Sequence, residues 1–169
     1  MEKLVRCICP VGQGGFSVET IGDTTVVYDC GSLTSLSQLE TYIDCVANKC
    51  TKIDYLFLSH FDTDHVNSIG YLLSKIKVCN VVVPLIPDDL KIVFNVYWNG
   101  TYTTLKNMFE NEDTKIVEVK DQEAYSDKGD LWEWLAKRMM TLSDFTTIRK
   151  ELKNNNVDIN KLDDVKYVE

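Results

Sequence analysis

The stretch IDYLFLS, Ile53 to Ser59, is almost continuously apolar. Such a run fits a strand covered on both faces, and strands of that kind sit in parallel sheets flanked by helices. A second run, VCNVVVPLI, begins at Val78 and is stopped by Pro84 and Pro87. Between them VNSIGYLLSKIK sets Ile69, Leu72, Leu73 and Ile76 at helical intervals of three and four. This predicts a helix over 66–77. Strand, helix, strand in that order constrains the chain to an α/β fold, with helices layered against a sheet.

The N-terminal segments agree with this. LVRCICPV reads as a strand and GQGG as a turn. FSVETIG and TTVVYDCG read as short strands, joined by hairpin chemistry at Gly22-Asp23. After Gly31, Leu36, Leu39, Ile43 and Val46 mark one face of a helix, with Ser32, Thr34, Ser35 or Ser37 available to cap it. Further on, LKIVFNVYW and TKIVEVKD are candidate strands and TLKNMFENE a candidate helix. DLWEWLAKRMMTLSDFTTIRKELKNNN reads as mostly helical, and Trp98, Trp132 and Trp134 as core residues before interface anchors. No repeat or low-complexity linker interrupts the chain, so residues 1–169 are expected to form a single domain with an atypical second half.

The 26 acids and 18 bases give a formal net charge of −8. That excludes a broad electrostatic grip on nucleic acid or anionic lipid. It leaves room for an enzyme that handles phosphates through bound metal, because a cation reverses the local sign. No apolar run approaches the ~18–20 residues that span a bilayer. The opening MEKLVRCICPVG has a short apolar stretch ended by Pro10 and Gly12, a poor export signal. A cytoplasmic location is expected, with no membrane partner. Cysteines at positions 7, 9, 30, 45, 50 and 79 are therefore expected to be reduced. Cys7, Cys9 and Cys30 lie in strand-like runs and are expected to act as small buried hydrophobes.

Directly after Ser59 comes HFDTDH, which holds both histidines of the chain, His60 and His65, with Asp62 and Asp64 between them. Imidazole nitrogen and carboxylate oxygen together suit zinc, manganese or iron. In an extended loop, His60, Asp62 and Asp64 point one way, and His65 joins them from the first turn of the next helix. Such a loop can serve two metals ~3.5–4 Å apart, which activate water and steady negative charge. The plainer reading makes Asp62 or Asp64 a helix cap and His65 a surface residue. Four such residues in one short loop at the end of a strand weigh towards metal.

LSHFDTDHVNSIGYL resembles the signature loop of the metallo-β-lactamase fold, H-x-H-x-D-H, with Asp62 in place of the second histidine. VGQGGF followed by TTVVYDCGS resembles the early strands of that superfamily. It is particularly similar to the VGQG…DxG pattern of the competence-type DNA-uptake metallohydrolases, which share the H-x-D-x-D-H variant. The resemblance covers about residues 4–84 and implies an αββα sandwich, partial or trimmed. It implies one or two divalent ions, zinc or manganese. His60 and Asp62 would hold the first, Asp64 and His65 the second. Asp64 would also be catalytic, orienting the attacking water, and Asp29 would be a structural aspartate beside the site.

Two departures stand out. Asn67 and Ser68 occupy positions where the family has a glycine pair, and no histidine follows His65, although the family draws further ligands from later loops. A partner chain or a further C-terminal segment would then complete the site. Asp88, Asp89 and Asp121 are available substitutes, the first two also reading as helix caps. The implied function is a metal-dependent hydrolase of a phosphodiester or another small substrate. The alternative is a degenerate or truncated module acting as a non-catalytic binding or regulatory domain.

Overall fold

A computed structural model describes residues 3–86, 91 and 100–119. The expectations placed on LKIVFNVYW, apart from its Lys91, on Asp88, Asp89 and Asp121, on the three tryptophans and on the helical C-terminal stretch lie outside the described residues. The chain divides into two compact units, Met1–Pro84 with Thr101–Val119, and Leu85–Gly100 with Lys120–Glu169. The first holds the sheet and the histidine loop.

Its elements are β1 (Leu4–Ile8), β2 (Gly14–Ile21), β3 (Thr24–Ser32), α1 (Leu36–Ala47), β4 (Lys52–Phe57), α2 (Thr63–Val66), α3 (Ile69–Lys75), β5 (Lys77–Pro84), α4 (Thr101–Asn111) and β6 (Lys115–Val119). The strands form one sheet in sequence order. β1, β2 and β3 are antiparallel neighbours, and β3 through β6 run parallel. This is the α/β architecture read from the sequence. The β2–β3 hairpin turns at Gly22, whose φ of 57° lies in the left-handed region that glycine enters without cost.

The parallel registers set Val27 beside Leu56 and Leu56 beside Val81. All three are completely buried, as are Leu39 and Ile43 of α1 and Ile69 and Leu72 of α3. Truncating a side chain so placed costs about 2–5 kcal/mol. Leu36 begins the apolar stripe of α1 but remains exposed. Ser35 takes the N-cap position without a side-chain capping bond. Ser32 serves the helix entry instead, its Oγ accepting from the Thr34 and Ser35 amides.

Three expectations need correction. The helix foreseen over 66–77 is two helices, broken at Asn67 and Ser68, and Ile76 is already extended. Ser68 donates its amide to the Cys30 carbonyl of β3, so a bond to the sheet replaces one within the helix. β4 buries Leu56 on one face and Ile53 on the other, but the second face is only partly covered towards Tyr55 and Phe57. Tyr55 is 42% exposed and Tyr28 37%. Phe57 lies between these rings, 5.3 Å from Tyr28 and 6.3 Å from Tyr55 by ring centroids, so the aromatic side chains partly cover one another. Cys9 and Cys30 are buried as read, but Cys7 is exposed. The reason is that β1 is an edge strand exposed along its whole length. Among the described residues no helix is long and apolar enough to cross a membrane.

Candidate metal centre

The chain leaves the sheet at Leu58, whose amide still donates to Val82 O. Leu58 and Phe61 are buried. Phe61 meets Tyr102 of α4 edge-on at 5.3 Å, and lines a cavity of about 270 Å³ with Leu105, Phe109 and Ile116. Anchoring Phe61 inward leaves its neighbours His60 and Asp62 facing outward, 38% and 47% exposed at the side chain. Asp62 occupies the N-cap position of α2 but makes no capping bond, and Asp64 and His65 follow within that short helix.

Asp29 organises the histidines. It sits near the end of β3 with φ 55°, a left-handed conformation that aspartate tolerates better than most residues. Its Oδ1 accepts the Ser59 amide at 2.9 Å, and its carboxylate accepts the Ser59 hydroxyl at 2.9–3.0 Å. His65 Nδ1 lies 2.9 Å from Asp29 Oδ2, and His60 Nδ1 lies 2.8 Å from Ser59 Oγ.

A carboxylate only accepts, so His65 Nδ1 carries the proton of that bond. Ser59 gives its single hydroxyl hydrogen to Asp29 and so accepts from His60 Nδ1–H. One carboxylate therefore fixes the tautomer of both rings, one directly and one through Ser59. In the neutral ring this leaves Nε2 as the atom that can ligate a cation.

The two rings stand 4.0 Å apart by centroids. His60 Nε2 is 3.4 Å from Asp62 Oδ2, and His65 Nε2 is 3.8 Å from Asp64 Oδ2. Among the described residues, His60, Asp64 and His65 form a group whose ligand atoms all lie within 4.8 Å of one another. Asp62 stands beside His60, outside that group. The donor set, imidazole nitrogens oriented by hydrogen bonds and a carboxylate, fits a first-row divalent cation.

A sequence model of the metallo-β-lactamase superfamily matches residues 17–135. The chain belongs to the metallo-β-lactamase superfamily. Comparison with curated proteins gave no match. Among solved structures it is similar to the metallo-β-lactamase fold protein YhfI from Bacillus subtilis, at 19% identity and a TM-score of 0.45, covering 76% of this chain and 50% of that one. It is also similar to the superfamily protein ST1585 from Sulfolobus tokodaii, at 19% identity and a TM-score of 0.36, covering 70% of this chain and 49% of that one. A diphosphatase of the PhnP family matches at 11% identity and a TM-score of 0.36, covering 65% of this chain and 38% of that one. The chain spans half or less of the length of each.

In this metallo-β-lactamase superfamily chain the departure at Asn67 has a structural account. Asn67 Oδ1 accepts the Ser32 amide at 3.1 Å and its Nδ2 donates to the Ser32 carbonyl at 2.8 Å. The side chain clasps the end of β3 just beyond the histidine loop. Gly15 and Gly31 serve the same seating. A Cβ on Gly31 would stand 2.4 Å from Asp64 C and 2.5 Å from His65 N, and one on Gly15 would stand 3.1 Å from His65 Nδ1. Sequence reading did not assign Ser59, Gly15, Gly31 or Asn67 to the site. The signal available was positional: Ser59 directly precedes His60, and both glycines lie in the quoted motifs.

Asp29→Asn is expected to weaken divalent-cation binding about 10–100-fold, the usual effect of losing a carboxylate that orients a ligating histidine. An amide can donate to His65 Nδ1 and so favour the tautomer with Nε2 protonated. Calorimetric titration with Mn²⁺ measures this, and equal affinity in the two proteins would separate the histidines' ligand role from Asp29.

Proposed function

We propose that this chain is a metal-dependent hydrolase that cleaves a phosphodiester or another small hydrolysable substrate in the cytoplasm. We propose further that it is one superfamily domain with an atypical second half, of the competence-like H-x-D-x-D-H type. His60 and Asp62 would hold one ion, Asp64 and His65 another, zinc or manganese. The observation that carries this reading is the Asp29–Ser59 network, which leaves the Nε2 atoms of both histidines available beside Asp62 and Asp64.

Bound divalent metal would supply Lewis acidity towards water and positive charge for the negative charge that develops in hydrolysis. The chain's own residues do the rest. Asp29 and Ser59 hold the two imidazoles in one tautomer. Asp64 offers a carboxylate oxygen that can accept a proton-bearing water and aim it. The buried Phe61 anchor fixes the loop so that these groups need not be ordered during turnover. Only two histidines are present, so a partner chain or a further segment would supply the remaining ligands. Hydrolases, the diphosphatase named above among them, occur in the superfamily.

The test offers a chromogenic phosphodiester and single-stranded DNA, with Mn²⁺ or Zn²⁺, to the chain alone and to its partner-bound or longer form. Cleavage that requires metal and stops on chelation is expected. Absence of metal-dependent cleavage in every form would leave the cluster as a relic on a binding module.

A further inference from the structure

We propose that Cys7 and Cys9 form a dithiol redox site, which exchanges with small disulfides of the glutathione type and closes reversibly into an intrachain disulfide. The proposal is independent of the hydrolase reading. The two sulfurs lie 3.8 Å apart. Cys7 belongs to β1, and the chain directly beyond β1 stays on the sheet, with the Cys9 amide donating to Phe16 O. Alternate residues of an extended chain project to the same side, so both thiols face each other across Ile8.

The two thiols differ in the way stepwise exchange requires. Cys7 is exposed and Cys9 buried. Burial first, and then the adjacent Cys7, push the Cys9 thiol up to about 12, so it is a poor first nucleophile. Cys7 reacts first. Its thiolate attacks one sulfur of the small disulfide, an S–Cys7 bond forms, and one thiolate leaves and takes up a proton. Cys9, still buried but no longer held up by the Cys7 thiol, then gives up its proton and attacks the Cys7 sulfur. The second small thiol leaves and is protonated. The protein has lost two electrons and two protons, and the small disulfide has become two thiols.

Backbone geometry decides what kind of disulfide results. Two residues of extended strand span roughly 6.8 Å. That is the upper end of the roughly 4.4–6.8 Å between Cα atoms that disulfides tolerate. Closure asks β1 to contract at Ile8, which is 77% exposed on a strand that, among the described residues, pairs only with β2. The strand can yield there, but the bond stays strained. Strained, exposed disulfides are the easily reduced ones, so this pair is a switch and not a staple.

The experiment incubates the reduced full chain with oxidised glutathione, alkylates the remaining thiols, and digests with trypsin and chymotrypsin. Cleavage after Arg6 and Phe16 leaves both thiols in one peptide. In wild type that peptide is expected to lose two hydrogens, escape alkylation, and regain both thiols in excess reduced glutathione. Cys9→Ser is expected to trap one glutathione on Cys7, while Cys7→Ser removes both adduct and bridge. Cys45→Ser is expected to change nothing. The proposal is overturned if the wild-type peptide remains fully alkylated, if it keeps a glutathione on Cys7 without closing, or if Cys7 pairs with Cys45.

Discussion

Asp64→Asn is expected to lower metal-dependent turnover about 10²–10³-fold, the usual loss when one preorganised polar group at the reacting centre is removed. The fold should survive. Asp64 is held through its backbone, which rests against Gly31, while its carboxylate has only the 3.8 Å approach to His65 Nε2 among the described contacts. Asparagine keeps the size and one accepting oxygen but puts a donor in place of the other, and it gives up the charge proposed to help hold the metal and orient the water. The loss should fall on kcat more than on KM, because the interaction strengthens as the reaction proceeds. Steady-state kinetics at saturating metal, with a thermal melt as a folding control, reads both. Undiminished kcat in a folded variant would remove Asp64 from the chemistry.

Gly31→Ala is expected to cost about 3 kcal/mol of stability, the upper end of ordinary overpacking. The new methyl would meet the carbonyl carbon of Asp64 at 2.4 Å and the amide of His65 at 2.5 Å. Both are backbone atoms, which cannot rotate away as the tip of a flexible side chain can. The loop must lift from β3, and the bond from the Ser68 amide to the Cys30 carbonyl would stretch with it. Urea unfolding measures the loss, and Gly15→Ala provides a milder comparison, since its nearest neighbours stand at 3.0–3.2 Å. A Gly31→Ala protein as stable as wild type would mean that the loop is not seated on β3.

What could be read from the sequence was what depends on near neighbours in the chain. The strands around Val27, Leu56 and Val81 and the faces of α1 and α3 follow from hydrophobic spacing, and the crowding of His60, Asp62, Asp64 and His65 is visible in one short stretch. The features that escaped depend on distant partners. The break at Asn67 exists because Ser32, far back in the chain, offers both its backbone groups. Ser59 matters only because Asp29 and His60 lie on either side of its hydroxyl. The half-open face of β4 reflects how Tyr28 and Phe57 stack across neighbouring strands, which a run of apolar letters does not reveal. Cys7 read as core because β1 has the composition of a buried strand, yet it lies at the sheet edge.

We propose that the loop carrying His60, Asp62, Asp64 and His65, with both imidazoles oriented from Asp29, binds divalent cations. Mn²⁺ titration of the metal-free chain, followed by calorimetry, tests it most directly. Mn²⁺ favours oxygen and imidazole donors over thiolate, so the cysteines do not compete as they would for zinc. Weak but saturable binding is expected, because one short loop gives each ion fewer protein ligands than closed sites have. His60→Ala and His65→Ala should each lose the ion that histidine holds. A wild-type chain that takes up no Mn²⁺, or a His65→Ala chain that binds it as well as wild type, would remove the histidine loop as a metal site.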